Sequence, residues 1–186
     1  MTSKASAGKE ALPAGIDRIL IPAPRIAGRV EELGRQISED YAGRDLLLIG
    51  VLKGSVVFLA DLVRRITIPC SIDFISLSSY SGTTSSGVVQ LLLDLQKNPE
   101  GRDLLLVEDV VDTGLTLSYL FQNLKTRRPK TLEVCAFLDK PSRRKTAVKP
   151  KYVGFQIPNE FVVGYGLDFN ERYRNLPHVG VYKEPS

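Results

Sequence analysis

Apolar residues recur in two rhythms along this chain. In PAPRIAGRVEELGRQISEDYAG (22–43), Ile26, Val30, Leu33, Ile37 and Tyr41 follow one another at spacings of four, three, four and four. That period predicts an amphipathic helix with one buried stripe. Elsewhere the apolar residues stand in unbroken runs. DLLLIGVL (45–52), RDLLLVEDVV (102–111) and TLEVCAFLDK (131–140) are short and almost wholly apolar, as expected of strands covered on both faces. CSIDFISLSSY (70–80) predicts a strand that ends in polar residues, and VVQLLLDL (88–95) another. VVFLADLVRRI (56–66) and LTLSYLFQNLKTR (115–127) predict helices. KYVGFQIP, FVVGYGLD and HVGVYK supply short β segments near the C-terminus.

Strands alternating with helices imply an α/β fold built on a mainly parallel, twisted sheet flanked by helices. Ligands bind such sheets beyond the carboxyl ends of the strands. The positions to inspect are therefore Lys53-Gly54-Ser55, Glu108 to Thr116, Asp139-Lys140 and Asp168. SGTTSSG (81–87) has turn composition and no apolar anchor, so it is expected to move. Residues 1–15 are expected to form a flexible tail, and 16–186 a single domain.

The formal net charge of +4 changes this picture little. Basic residues cluster in KTRRPK (125–130) and KPSRRKTAVKPK (140–151). Such runs are either solvated surface or an attraction for anions, RNA included. They lack the interleaved aromatics that stack on single-stranded bases, so RNA binding is the weaker of the two. No apolar run reaches the length of a membrane span, and the first residues lack a secretory core. The expected location is the cytoplasm, with no membrane partner. Cys70 and Cys135 are expected to be buried reduced thiols. His178 is the only histidine, which excludes histidine-rich metal sites and argues against a Ser-His-Asp triad.

The chemistry concentrates in LLLVEDVVDTGLTLSYL (104–120). A turn of small residues opening a helix can cradle an anion, because the first helical N–H groups lack partners. Gly114 would let a phosphate approach the backbone, and Thr113 and Thr116 add hydroxyls. On local grounds a simple helix cap by Thr113 or Asp112 explains the turn equally well. No triphosphate P-loop pattern occurs. The adjacent acids Glu108 and Asp109 repel each other, and folding alone gives no reason for them. They suit a vicinal diol, which donates to carboxylates, or Mg²⁺, held by carboxylates together with substrate phosphates. A phosphate cradle beside a diol grip describes a ribose 5-phosphate site.

VEDVVDTGLT resembles the phosphoribosyl pyrophosphate (PRPP) motif of the type I purine phosphoribosyltransferases. GVLKGSVVFLADLVR, DFISLSSYSG, FLDKPSRRK and VGFQIPNEFVVGYGLDFNERYRNLPHVG extend the resemblance from about Ile19 to Tyr182. FVVGYGLDFNERYR is similar to the 6-oxopurine, hypoxanthine-guanine branch. The resemblance implies a small hood built from terminal segments, and salvage of hypoxanthine or guanine with release of pyrophosphate. It also implies Mg²⁺ as cofactor and a homodimer or homotetramer. Glu108 and Asp109 would hold the ribose hydroxyls directly or through Mg²⁺. Asp112, Thr113, Gly114, Leu115 and Thr116 would bind the 5-phosphate, with Asp112 the candidate base. Leu52, Lys53 and Gly54 would form the pyrophosphate loop, whose 52–53 peptide can be cis, and Arg174 would add charge there. Lys140 would donate to purine O6, Phe161 stack on the ring, Val162 meet its other edge and Asp168 hold a second Mg²⁺. Ser79 and Tyr80 would belong to a lid. Animal members carry lysine where this chain has Leu115. From the residues alone, Lys140 is equally a surface group, Phe161 a core residue and Arg174 a surface ion pair.

Overall fold

The structure is a computed structural model that describes residues 12–79 and 89–183. Among the described residues, nine strands and three α-helices form in the order β1 (Ile16–Ile21), α1 (Ala23–Asp40), β2 (Leu46–Leu52), α2 (Val56–Val63), β3 (Cys70–Ser79), β4 (Val89–Leu93), β5 (Asp103–Val111), α3 (Leu115–Lys125), β6 (Thr131–Asp139), β7 (Tyr152–Gln156), β8 (Val162–Val163) and β9 (Val179–Tyr182). A short 3₁₀ turn, Pro141–Arg143, follows β6.

The larger sheet runs β4-β3-β2-β5-β6-β7. Every pair in it is parallel except β3 with β4. The unbroken apolar runs are explained by cover on both faces. Leu46 and Leu48 of β2 join one core cluster with Ile26, Val30, Leu33 and Ile37 of α1, while Leu47 and Ile49 join another with Leu117, Leu120 and Leu124 of α3. Burial of each such side chain contributes about 1.5–3 kcal/mol. A single polar substitution at Leu48 or Leu106, each fully buried, would break this packing. The predicted α1 stripe is buried, and Tyr41 caps the helix from within the core.

β1, β9 and β8 form a separate antiparallel sheet from the two ends of the domain. The sequence patterning did not anticipate β1, because IDRILI buries only its first and last residues. FVVGYGLD, expected to be a β segment, is a strand only at Val162–Val163. Gly164 and Gly166 then take φ of 97° and 99°, which turns the chain out of the sheet. Both cysteines are free, but Cys70 is half-buried rather than buried. Most of the expected tail and lid, including Tyr80, lies outside the described residues. Among the described residues no helix is long and apolar enough to cross a membrane.

Candidate active site

β5 ends between β2 and β6, so its last residues emerge at the centre of the sheet's carboxyl edge. There, Glu108 to Leu117 wrap a cavity of about 240 Å³. Larger hollows exist, one of about 920 Å³ along α1. That one is lined by Glu31, Glu32, Arg35, Glu39, Arg64 and Arg65, ordinary solvated charges, so volume does not mark the site.

Glu108 is buried and Asp109 half-buried. Among the described residues no cation lies within ion-pair distance of either. Burial, and then the neighbouring Asp109, holds the Glu108 carboxyl well above the usual range. Burial likewise pushes Asp109 up to about 6, against the milder pull of the Val110 N–H and Arg174. The two acids are thus costly in the free protein and suited to accepting hydroxyl donors or a hard cation.

Asp109 fits because residue 54 is glycine. A Cβ there would lie 1.6 Å from Asp109 Oδ2. The Leu52–Lys53 peptide is cis, and Lys53 projects outward to Glu171 Oε2 at 3.1 Å. Gly54 O packs in turn on Gly166, where a Cβ would come within 2.1 Å. Arg174 donates to Gly166 O at 2.8 Å and pairs with Asp168 at 2.8 Å and Glu171 at 3.2 Å. Asp168 accepts from the Glu171 N–H at 2.9 Å. The pyrophosphate-loop candidates, Asp109, Asp168 and Arg174 therefore share one corner. Arg174 is half-buried inside this network, which replaces the simple surface ion pair as its description.

The turn after β5 is not a side-chain cap. Gly114 is the N-cap of α3, at φ 80°, and no side chain caps it. Leu115 N reaches Thr113 Oγ1 only at 3.4 Å. Apart from that long contact, no side chain among the described residues caps the first amides of α3, which can therefore receive an anion. Glycine at 114 also has a reason within the fold. The place of a Cβ is taken by Thr146 Oγ1, which would lie 2.5 Å away. Leu115 and Thr116 are exposed.

Lys140 is 8% exposed, so it is not a surface group. Burial depresses its pKa, against the opposing effect of Asp112. Its ammonium donates to Glu160 O at 2.9 Å and lies 4.0 Å from Asp112 Oδ2. Phe161, the next residue after Glu160, is 54% exposed and so not core. The rings of Phe169 and Tyr182 are steeply inclined to it, with centroids 5.8 and 6.0 Å away, and stack on each other at 4.4 Å. An exposed aromatic face supported this way is a platform for a flat ligand. Val162 is buried in β8 beside it. Ser79 ends β3, away from this group in the chain.

Sequence reasoning missed several groups here. Arg143 contacts Asp112 Oδ1 through Nε at 3.1 Å. Arg144 pairs with Asp139 and donates to Val111 O at 3.5 Å. Glu171 bridges Lys53 and Arg174. The basic runs are largely spent on such pairs: Arg127 with Asp94, Arg128 with Glu100, Lys130 with Asp103, Lys151 with Asp40. In the sequence, only the recurrence of arginine near acids hinted at this.

A family model described as "Phosphoribosyl transferase domain" matches residues 19–170. The hypoxanthine-guanine phosphoribosyltransferase of Mycobacterium avium is 53% identical over 178 residues, covering 92% of this chain and 88% of that protein. The enzyme of the same name from Bacillus subtilis is 47% identical, covering 90% and 94%. A crystal structure of a Staphylococcus aureus hypoxanthine phosphoribosyltransferase superimposes with a TM-score of 0.87 at 46% identity, covering 91% of this chain and 92% of that one. With the strand-end acids, the uncapped α3 and the Lys140–Phe161 pair in one place, the chain belongs to the phosphoribosyltransferase family, in its hypoxanthine-guanine branch.

Proposed function

We propose that this protein transfers the 5-phosphoribosyl group of PRPP to N9 of hypoxanthine or guanine, releasing pyrophosphate, as a purine salvage enzyme. The observation that carries the proposal is one juxtaposition. An acid pair, one member buried and one half-buried, has no counter-ion among the described residues and lies beside the uncapped start of α3, and a buried lysine stands beside an exposed aromatic ring. The first pair of features suits a phosphorylated diol and the second a flat 6-oxopurine.

In this reading Glu108 and Asp109 receive the ribose hydroxyls, and the amides of residues 113–116 receive the 5-phosphate. One Mg²⁺ would be held by Glu108 and Asp109 and a second by Asp168, each together with the substrate's phosphates, and they would supply positive charge to the departing pyrophosphate. The donor set fits a hard cation, since all are carboxylate oxygens and, among the described residues, Glu108 and Asp109 have no cationic partner. Among the described residues no group of three such side chains could hold a metal ion by itself, so substrate oxygens would have to complete the shell.

As the C1–O bond breaks, positive charge builds on the ribose, much as in glycoside cleavage. Arg174 and the 52–54 backbone meet the negative charge on pyrophosphate. Lys140 leaves Glu160 O to donate to purine O6, Phe161 stacks on the ring, and the backbone at Val162 meets its other edge. Asp112 takes the proton from the base. Ser79 and Tyr80 belong to a lid whose task is to keep water from the cation-like centre. A cytoplasmic homodimer or homotetramer is the proposed assembly. Exposed Leu92 and Leu93 on the edge strand β4 support self-association; sedimentation of the purified protein tests it.

The test of function is turnover of hypoxanthine, guanine and xanthine with PRPP and Mg²⁺, followed by nucleotide formation. Nucleotide from hypoxanthine or guanine is expected. No nucleotide from any of the three bases would overturn the proposal.

A further inference from the structure

Asp112 stands between two cations supplied by one short segment. Lys140 closes β6, and its ammonium is 4.0 Å from Asp112 Oδ2, too far to lock that oxygen. Arg143 ends the 3₁₀ turn that begins one residue later, and its Nε donates to Oδ1 at 3.1 Å. The turn is itself held in place. Arg143 N donates to Lys140 O at 3.0 Å, Lys145 N to Thr113 O at 2.9 Å, and Thr146 Oγ1 to Gly114 O at 3.3 Å. Residues 143–146 thus lie along the 112–114 turn like a strap, and Arg143 is the side chain that reaches Asp112.

The Arg143–Asp112 pair does little for the fold. The two side chains are 46% and 39% exposed, and ion pairs that wet contribute little stability. It does fix one thing. With Oδ1 held by the guanidinium, the carboxylate presents Oδ2 towards Lys140. A 6-oxopurine carries O6 and N7 side by side on one edge of the ring. In the N7–H tautomer that edge offers an acceptor beside a donor. Lys140 Nζ and Asp112 Oδ2 are the complementary donor and acceptor.

We propose that Arg143 is a positioning residue that aims Asp112 Oδ2 at purine N7. This rests on the proposed function above. Arg143 touches neither substrate; it acts through the carboxylate. A positioned base loses rate steeply when it can rotate away from its target.

The test compares wild type with Arg143→Ala and Arg143→Lys. Arg143→Ala should lose roughly 10- to 100-fold in kcat, with the dissociation constant for PRPP and Mg²⁺ unchanged. Added guanidinium ion should restore part of the rate, and Arg143→Lys should fall between. The decisive readout is binding of hypoxanthine and of 7-deazahypoxanthine, which has no N7–H, in the unreactive complex with Mg²⁺ and pyrophosphate. Wild type should prefer hypoxanthine, and Arg143→Ala should lose most of that preference. If the preference survives in Arg143→Ala, or both ligands weaken equally, or kcat is unchanged, Arg143 does not aim Asp112. If wild type itself forms no nucleotide, the proposed function fails instead.

Discussion

The two ends of β5 both carry buried acid, and they treat it oppositely. At the start, Asp103 is 1% exposed. It accepts from Thr131 Oγ1 at 2.7 Å and has Arg44 and Lys130 each at 3.8 Å. At the end, Glu108 and Asp109 are buried or half-buried with no cation in reach among the described residues, and both titrate upward. Folding has given the first acid cationic partners and, among the described residues, left the second pair without one, although Asp109 accepts from the Val110 N–H at 2.6 Å. A buried charge without partners costs stability, so its presence at one end only points to a ligand that completes it. The same contrast separates a structural carboxylate from a binding one without any appeal to conserved positions.

That contrast can be broken at either end. The largest effect is expected from Glu108→Ala with Asp109→Ala, which should abolish measurable nucleotide formation. Near-normal turnover in the double variant would mean the acids are not the diol and metal anchor. Next comes Asp112→Asn, which keeps size and most hydrogen bonds but cannot take up a full proton. Its single-turnover rate should fall by roughly 10²-fold or more while PRPP binding persists. A wild-type rate across pH 6–9 would reduce Asp112 to a turn residue.

Lys140→Ala removes a charged hydrogen bond, worth about 1.5–3 kcal/mol, from the base alone. Purine kcat/KM should fall accordingly, and PRPP affinity should not. The reverse pattern would move Lys140 to the phosphates. The smallest effects are on stability, and they have opposite signs at the two ends. Asp103→Ala strands Thr131 and two cations and should cost about 1–3 kcal/mol, leaving the folded enzyme's kcat intact. Asp109→Asn should instead stabilise the ligand-free protein. Its folded pKa of about 6 lies above the unfolded value of ~3.9. Between those values the folded state binds the extra proton, so stability falls as pH rises, and the loss is complete above about 6. The variant should therefore gain about 1–3 kcal/mol at pH 8 and nothing below pH 4. Urea titrations at both pH values measure it; a gain that persists at pH 4 would contradict the burial explanation.

Much of the fold was legible because it is local. The α1 stripe and the runs of β2, β5 and β6 declare their environment within a few residues. β1 was not legible, because IDRILI becomes a strand only by pairing with β9, more than a hundred residues away. The strand-end acids could be picked out as candidates by the same local logic: an apolar run that stops at adjacent carboxylates is anomalous wherever it lies. Their missing counter-ions could not, since only the folded chain shows that Arg174 turns to Gly166, Asp168 and Glu171 instead. Arg143 looked like surface charge, and Glu171 gave no signal, because their partners, Asp112 and Lys53, come from distant segments. The exposure of Phe161 was equally hidden. Its ring reads as core by composition, and only the folded chain shows it largely exposed beside Phe169 and Tyr182.

The central claim is that the acids at the end of β5 are held unpaired for PRPP and Mg²⁺. Calorimetric titration of both together into wild type, Asp103→Asn and the double variant Glu108→Gln, Asp109→Asn tests it directly. Wild type and Asp103→Asn should bind alike, and the double variant at least ~100-fold more weakly, the scale of two lost charged hydrogen bonds. A double variant that binds as tightly as wild type would contradict the account.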